Sequence, residues 1–212
     1  MFPALYAILD VSPTQTAESA LSLAEMLAGA GVRLMQVRGK HISTRDYIRV
    51  ARRAVDAMLQ RGVQVFINDR ADIAGLSGAT GVHVGQEDIP VDAARAACPP
   101  PMQVGVSTHN LAQVRAALLT SADYIAIGPI FATASKDNPD PVVGLELLKQ
   151  ARALTSKPLV AIGGITVETA SDVYAAGADS VAVISDIARA TDPAKRAAQY
   201  LDIAKRAKAA GA

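Results

Sequence analysis

Three cations and two carboxylates stand in short polar stretches, each directly after an apolar run. Arg38 and Lys40 lie in Gln36-Val37-Arg38-Gly39-Lys40, and Lys136 in Thr133-Ala134-Ser135-Lys136. Asp69 lies in Asn68-Asp69-Arg70, and Asp88 closes Gly85-Gln86-Glu87-Asp88. Such a set has two readings. The charges pair off as salt bridges, or the carboxylates hold Mg²⁺ while the cations and the metal together hold a polyphosphate. A second device is made of backbone: Ala161-Ile162-Gly163-Gly164-Ile165, then Val183-Ile184-Ser185. Glycine permits close backbone approach, and free N–H groups at helix starts suit an oxyanion. The plainer alternative is a tight turn that needs glycine for its geometry. A diphosphate held beside a separate monophosphate suits the joining of two phosphorylated small molecules.

The residues of covalent catalysis are not arranged for it. Cys98, the single cysteine, follows a helical stretch in Ala97-Cys98-Pro99. His109 is two residues from Ser107, a spacing at which the side chains need not meet. His83 falls inside an apolar run and reads as packed, while His41 reads as a solvated loop residue. Lys40 and Lys136 lie in loops rather than in the desolvated positions that favour a Schiff base. The pattern points to electrostatic stabilisation of a departing anion.

Strands and helices must bring these stretches together. Apolar runs predict strands at Ala4–Leu9, Arg33–Val37, Gln64–Asn68, Gly81–Val84, Met102–Val106, Asp123–Ile127, Pro158–Ile162 and Ser180–Ile184. Most are unbroken, as expected of parallel strands buried on both faces. Helical periodicity predicts helices at Thr16–Ala30, Ser43–Arg61, Arg70–Gly78, Pro90–Ala97, Asn110–Thr120, Gly144–Leu154, Val167–Ala176 and Pro193–Lys208. Ser43 with Asp46 forms a capping pattern, and Gly31 and Gly62 are suited to helix ends. Eight such units in alternation predict a closed (β/α)₈ TIM barrel, an α/β fold, over residues 1–212 as one domain. An open doubly wound sheet is the alternative, but it usually opens on a glycine-rich fingerprint, and Asp10-Val11-Ser12-Pro13 has none. In a barrel the loops after the strands build the active site, and those after strands seven and eight commonly bind phosphate. Seven strand ends carry polar or glycine-rich residues. Singly, Asp69, Ser107 and Thr166 also suit the role of simple helix N-caps. Two stretches, Phe131–Asp140 and Arg38–Ser43, are candidates to close over substrate.

Composition bounds the rest. Of 212 residues, 50% are hydrophobic and 19% charged, enough for a sizeable core. Lys and Arg total 21 against 20 Asp and Glu, so the near-neutral chain does not read as a binder of nucleic acid or membrane surface. Five Tyr, three Phe and no Trp leave few stacking platforms for bases. One cysteine excludes an internal disulfide or a multi-cysteine zinc site. There is no apolar run of membrane-spanning length and no basic segment before the N-terminal apolar stretch, so a soluble, cytoplasmic protein acting on small molecules is expected. A homo-oligomer is left open.

Seven segments resemble the thiamine phosphate synthase family: QVRGK (36–40), FINDRADIA (66–74), GVHVGQEDIP (81–90), VGVSTHN (104–110), DYIAIGPIFATASK (123–136), VAIGGI (160–165) and GADSVAVISDI (177–187). They run in order along almost the whole chain, and NDR followed by GVHVGQEDIP is the most specific. The resemblance implies a (β/α)₈ barrel and a Mg²⁺-dependent transferase of thiamine biosynthesis. It would join 4-amino-5-hydroxymethyl-2-methylpyrimidine diphosphate to 4-methyl-5-(2-phosphoethyl)thiazole, giving thiamine phosphate and pyrophosphate. It implies a pyrimidine-diphosphate site of Gln36, Arg38, Lys40, Asn68, Ser107 and Lys136, with Val37 and Gly39 in the same stretch. Asp69 and Asp88 would be the Mg²⁺ carboxylates. Thr133, Ser135, Gly164, Ile184 and Ser185, with Ala134 between, would form the thiazole-phosphate site. Arg38, Lys40, Lys136 and Ser107 would act in catalysis. The chain departs from the pattern at Ser135, where Thr is usual, at Val37, where Leu is usual, and at Ala126, where Gly is frequent. Rival readings are a thiazole tautomerase of the same family, which does not need the diphosphate machinery, and a non-catalytic barrel that binds a phosphorylated metabolite.

Overall fold

Strands buried on both faces need cover on both sides, and closing the sheet on itself supplies one of them. In the computed structural model, which describes residues 2–12, 17–133 and 140–210, eight parallel strands close into a barrel in sequence order. They are β1 (Leu5–Asp10), β2 (Leu34–Arg38), β3 (Gln64–Asn68), β4 (Gly81–Val84), β5 (Gln103–Thr108), β6 (Tyr124–Ile127), β7 (Leu159–Ile162) and β8 (Ser180–Val183). Helices cover the outside: α1 (Ala17–Gly29), α2 (Thr44–Leu59), α3 (Ala71–Ser77), α4 (Val91–Ala97), α5 (Leu111–Leu118), α6 (Gly144–Leu154), α7 (Ala170–Ala175), α8 (Ser185–Ala188) and α9 (Pro193–Ala210). The expected strand–helix alternation holds, with one correction. The short α8 follows β8 directly and precedes the expected last helix.

Two apolar layers result. The outer one lies between strands and helices and includes Leu9, Val37, Ile67 and Val106. The inner one fills the barrel with Tyr6, Ile8, Leu34, Phe66, Tyr124, Ala126, Val160 and Ala182. Its lower part is aromatic, with Tyr6, Phe66 and Tyr124 meeting edge to face at ring centroid distances of 5.5–6.1 Å. Two inward glycines make room for them. A Cβ on Gly81 would lie 2.7 Å from the Phe66 ring, and one on Gly105 would lie 2.0 Å from the Tyr124 ring. The aromatic plug therefore fills the lower barrel, and the upper part opens as a cavity.

The cap expectations divide. Ser43 does cap α2, its hydroxyl accepting the Asp46 N–H at 3.1 Å. Asp69, Ser107 and Thr166 are not helix caps: the residue before α3 is Arg70, Asn110 caps α5, and the residue before α7 is Thr169. Ser107 belongs to β5.

Candidate active site

A cavity of about 380 Å³ opens at the C-terminal ends of the strands. Gln36, Arg38, Asn68, Ser107, Thr133, Gly164, Ile184 and Ser185 line it, so residues from β2, β3, β5 and the loops after β6, β7 and β8 meet there. Beside it lies a smaller recess of about 240 Å³ formed by Gly39, Lys40, Ile42, Tyr47, Asn68, Asp69 and Arg70. Asn68 is shared by both. Val37 differs from its neighbours, because its side chain is buried in the outer layer and lines neither space. Ala134, Ser135 and Lys136 lie outside the described residues, as does most of the stretch expected to close over substrate.

Tyr47 of α2 ties the first two charged strand ends together. Its hydroxyl lies 2.8 Å from the Val37 carbonyl and 3.0 Å from that of Asn68, and it accepts the Asn68 N–H at 3.2 Å. The Arg38–Lys40 loop and the Asn68–Asp69 turn are thus held to one helix. Asp69 itself has φ 63°, the one non-glycine residue with positive φ among the described residues. Asp tolerates this left-handed conformation better than most residues. The Asp69 N–H donates to the His83 carbonyl at 2.8 Å, which fixes the turn against β4.

The carboxylates of Asp69 and Asp88 face each other, as adjacent strand ends allow. Burial raises the pKa of Asp69 to about 6, aided by the neighbouring Asp88 and opposed by Lys40. Lys40 Nζ stands 3.4 Å from Asp69 Oδ2, and Asp88 Oδ2 accepts the Gly85 N–H at 2.7 Å. Arg38 takes a partner that the sequence did not single out. Asp10 is its register neighbour on β1 and forms an ion pair with it. The salt-bridge reading therefore holds for Lys40 with Asp69, whereas Arg38 pairs outside the set, with Asp10.

The opposite side of the cavity is built mainly from backbone. Gly163 and Gly164 have φ 100° and 63°. A Cβ on Gly163 would lie 2.5 Å from Pro129 Cβ, and one on Gly164 would lie 2.4 Å from the Ala132 carbonyl oxygen. The loop after β6 runs over them, with the Ile130 N–H on the Ile162 carbonyl at 2.9 Å and the Phe131 N–H on the Gly163 carbonyl at 3.0 Å. Turn geometry alone accounts for both glycines. They also leave the backbone bare at the cavity wall.

Several cavity residues escaped the sequence reading. His83 is packed as expected, yet it lines the cavity and contacts Ser107 at 2.8 Å. His109 does not pair with Ser107. Its Nδ1 lies 2.5 Å from the Gly128 carbonyl and its Nε2 3.4 Å from Asp140. Asp186 is committed to Arg196 at 3.0 Å and accepts the Tyr200 hydroxyl at 2.7 Å. Arg189 also lines the cavity, is exposed, and has no ion-pair partner among the described residues. A polar residue two or four places past β8 is a weak signal in sequence, because α8 is too short to show a helical period. Cys98 is buried in the outer layer and away from the cavity.

Comparisons with known proteins agree with this geometry. The chain is 50% identical over 204 residues to a thiamine-phosphate synthase of Koribacter versatilis (strain Ellin345), covering 95% of each chain. It is 42% identical to that of Methanoculleus marisnigri (strain ATCC 35101 / DSM 1498 / JR1), covering 89% of this chain and 90% of the relative. Among solved structures it is similar to thiamine phosphate pyrophosphorylase from Pyrococcus furiosus, with a TM-score of 0.86 at 28% identity over 96% of both chains. The sequence profile described as thiamine monophosphate synthase matches residues 5–187, and the chain belongs to that family of transferases.

Proposed function

We propose that the protein joins 4-amino-5-hydroxymethyl-2-methylpyrimidine diphosphate to 4-methyl-5-(2-phosphoethyl)thiazole by a Mg²⁺-dependent dissociative substitution. The observation that carries this reading is the convergence of Arg38, Lys40, Asn68, Asp69 and Asp88 on one side of a cavity whose other wall is built mainly from backbone. The pyrimidine diphosphate fits the charged side, with Gln36 and Ser107 at the ring. The thiazole phosphate fits Thr133, Gly164, Ile184 and Ser185.

The carbon–oxygen bond to pyrophosphate breaks first, and its electron pair leaves with the pyrophosphate. The ring amino group delocalises the resulting cation, and the thiazole nitrogen lone pair forms the new carbon–nitrogen bond. No protein nucleophile enters. Arg38, Lys40 and Lys136 hold the departing charge, which requires Arg38 and Lys40 to exchange Asp10 and Asp69 for phosphate oxygens. The donor set suits a divalent ion: two carboxylates in contact, one of them held protonated to an unusually high pH by burial and by that contact. No cluster of three or more His, Cys, Asp or Glu side chains exists among the described residues, so phosphate oxygens would complete the shell around Asp69 and Asp88. When bound, the ion neutralises charge on the leaving pyrophosphate.

The test is pyrophosphate release from purified protein with both substrates and Mg²⁺, with and without chelator. Release that needs both substrates and stops with chelator supports the reading. Isomerisation of a thiazole precursor without Mg²⁺ would favour the tautomerase. Binding without turnover would favour the non-catalytic barrel.

A further inference from the structure

A continuous chain of side-chain hydrogen bonds crosses the barrel beneath the cavity. Gln36 Nε2 donates to the Tyr6 hydroxyl at 3.0 Å. The Tyr6 and Tyr124 hydroxyls lie 3.1 Å apart. The Tyr124 hydroxyl lies 2.8 Å from His83 Nδ1, and His83 Nε2 lies 2.8 Å from Ser107 Oγ. Gln36, Tyr6, Tyr124 and His83 are all at most 8% exposed. Both ends, Gln36 and Ser107, line the cavity.

The chemistry of its members gives this chain one direction. An amide nitrogen only donates, so the Tyr6 oxygen accepts from Gln36 and its proton goes to Tyr124. The Tyr124 proton then has one acceptor left, His83 Nδ1. A buried hydroxyl proton without an acceptor is destabilising, which disfavours any other order. Nδ1 is therefore bare, the ring is neutral, and the proton sits on Nε2 and is donated to Ser107 Oγ. Burial keeps both tyrosines protonated far above neutral pH, so neither end of the sequence titrates away. Two consequences reach the cavity. The Ser107 hydroxyl proton is left to donate to a ligand. The Gln36 carbonyl oxygen has no protein donor among the described residues and is not sealed from solvent, so it opens to the cavity as an acceptor.

We infer that Tyr6, Tyr124 and His83 are positioning residues that fix Ser107 as a donor and the Gln36 carbonyl as an acceptor, selecting a heteroaromatic ring with one acceptor nitrogen and one amino donor. The assignment of that ring to the pyrimidine substrate rests on the function proposed above; the direction of the chain does not. Flipping any member would invert both ends together, so the two contacts are specified as a unit.

The test combines nuclear magnetic resonance with kinetics. In protein labelled with ¹⁵N-histidine, with His41→Gln and His109→Gln used for assignment, the His83 ring should carry its proton on Nε2. Tyr124→Phe keeps the ring that packs on Gly105 and removes the hydroxyl. It should populate the Nδ1-protonated form and lower kcat/KM for the pyrimidine diphosphate roughly 3- to 10-fold, with KM for the thiazole phosphate unchanged. Tyr6→Phe should do the same and stands in if Tyr124→Phe does not fold. An Nδ1–H ring or an imidazolium in the unmutated protein overturns the inference, as does Tyr124→Phe altering both substrates' KM equally. If the unmutated protein released no pyrophosphate, the proposed function would fail, while the ring spectrum would still decide the direction of the chain.

Discussion

The two sides of the cavity mouth are built on different principles. From β2 round to β4 the wall consists of charged side chains, each held by a named partner: Arg38 by Asp10, Lys40 by Asp69, and Asp88 by the Gly85 N–H. From β6 round to β8 it is largely backbone, with Gly163 and Gly164 pressed under the loop after β6. A charge on the first side can be removed while the chain stays in place, because Tyr47 anchors that backbone independently. On the second side any added atom displaces main chain. The first side should therefore show losses of turnover with stability kept, and the second losses of affinity and stability together.

The sharpest test of this contrast is Asp69→Asn, since Asn also accepts a positive φ. Turnover should fall roughly 10²–10³-fold, the usual cost of one preorganised electrostatic partner, with the melting temperature retained. Lys136→Ala is expected in the same range on the strength of the resemblance. Near-normal turnover in either would remove that residue from the mechanism. Gly164→Ala should behave oppositely. Strain at φ 63° and the 2.4 Å approach to Ala132 should weaken thiazole-phosphate binding by roughly 10- to 100-fold and lower the melting temperature. An equal effect on the pyrimidine KM would dissolve the distinction between the two sides.

The sequence made the charged side legible and left the backbone side ambiguous, and the reason is physical. Arg38, Asn68, Ser107 and Ile184 follow or end apolar runs, so a barrel alone brings them to one face. A glycine pair announces a turn equally well whether or not a phosphate sits on it, and the packing beneath Pro129 satisfies that explanation. Pairings across the barrel were not legible. Asp10 meets Arg38 through strand register, and Tyr6 meets Tyr124 over 118 residues of chain. Nothing in Asp10-Val11-Ser12-Pro13 itself marks Asp10 as a partner of Arg38. Helix α8 and Arg189 were missed because four residues carry no periodic signal.

The charged side also predicts a pH response. Burial and the adjacent Asp88 push the Asp69 carboxyl up to about 6, above its ordinary 3.8. The folded state thus holds this proton more tightly than the unfolded chain does. Its contribution to stability is fully present below 3.8 and is lost as pH rises through about 6. A metal ion binds the deprotonated form, so Mg²⁺ affinity should be roughly tenfold weaker at pH 5 than at pH 7. Thermal unfolding with and without Mg²⁺ reads both effects. The Mg²⁺-induced gain in melting temperature should grow from pH 5 to pH 7 and flatten in Asp69→Asn. A gain independent of pH would place the ion elsewhere.

The smallest expected effect lies at the seam between the sides. Arg189 reaches the cavity wall near Ser185; of the two carboxylates three residues away, Asp186 is already bound by Arg196 and Tyr200, and Asp192 accepts the Lys195 N–H. An exposed cation with no ion-pair partner among the described residues adds long-range attraction for an anionic substrate, and salt screens it. Arg189→Ala should raise KM for the thiazole phosphate by roughly threefold at low ionic strength, a size typical of one exposed charge pair, and leave kcat alone. The difference should vanish near 0.5 M salt, where screening acts over about 4 Å. A salt-independent change would mean direct coordination of the phosphate, and the second side would then bind through a side-chain charge as the first does.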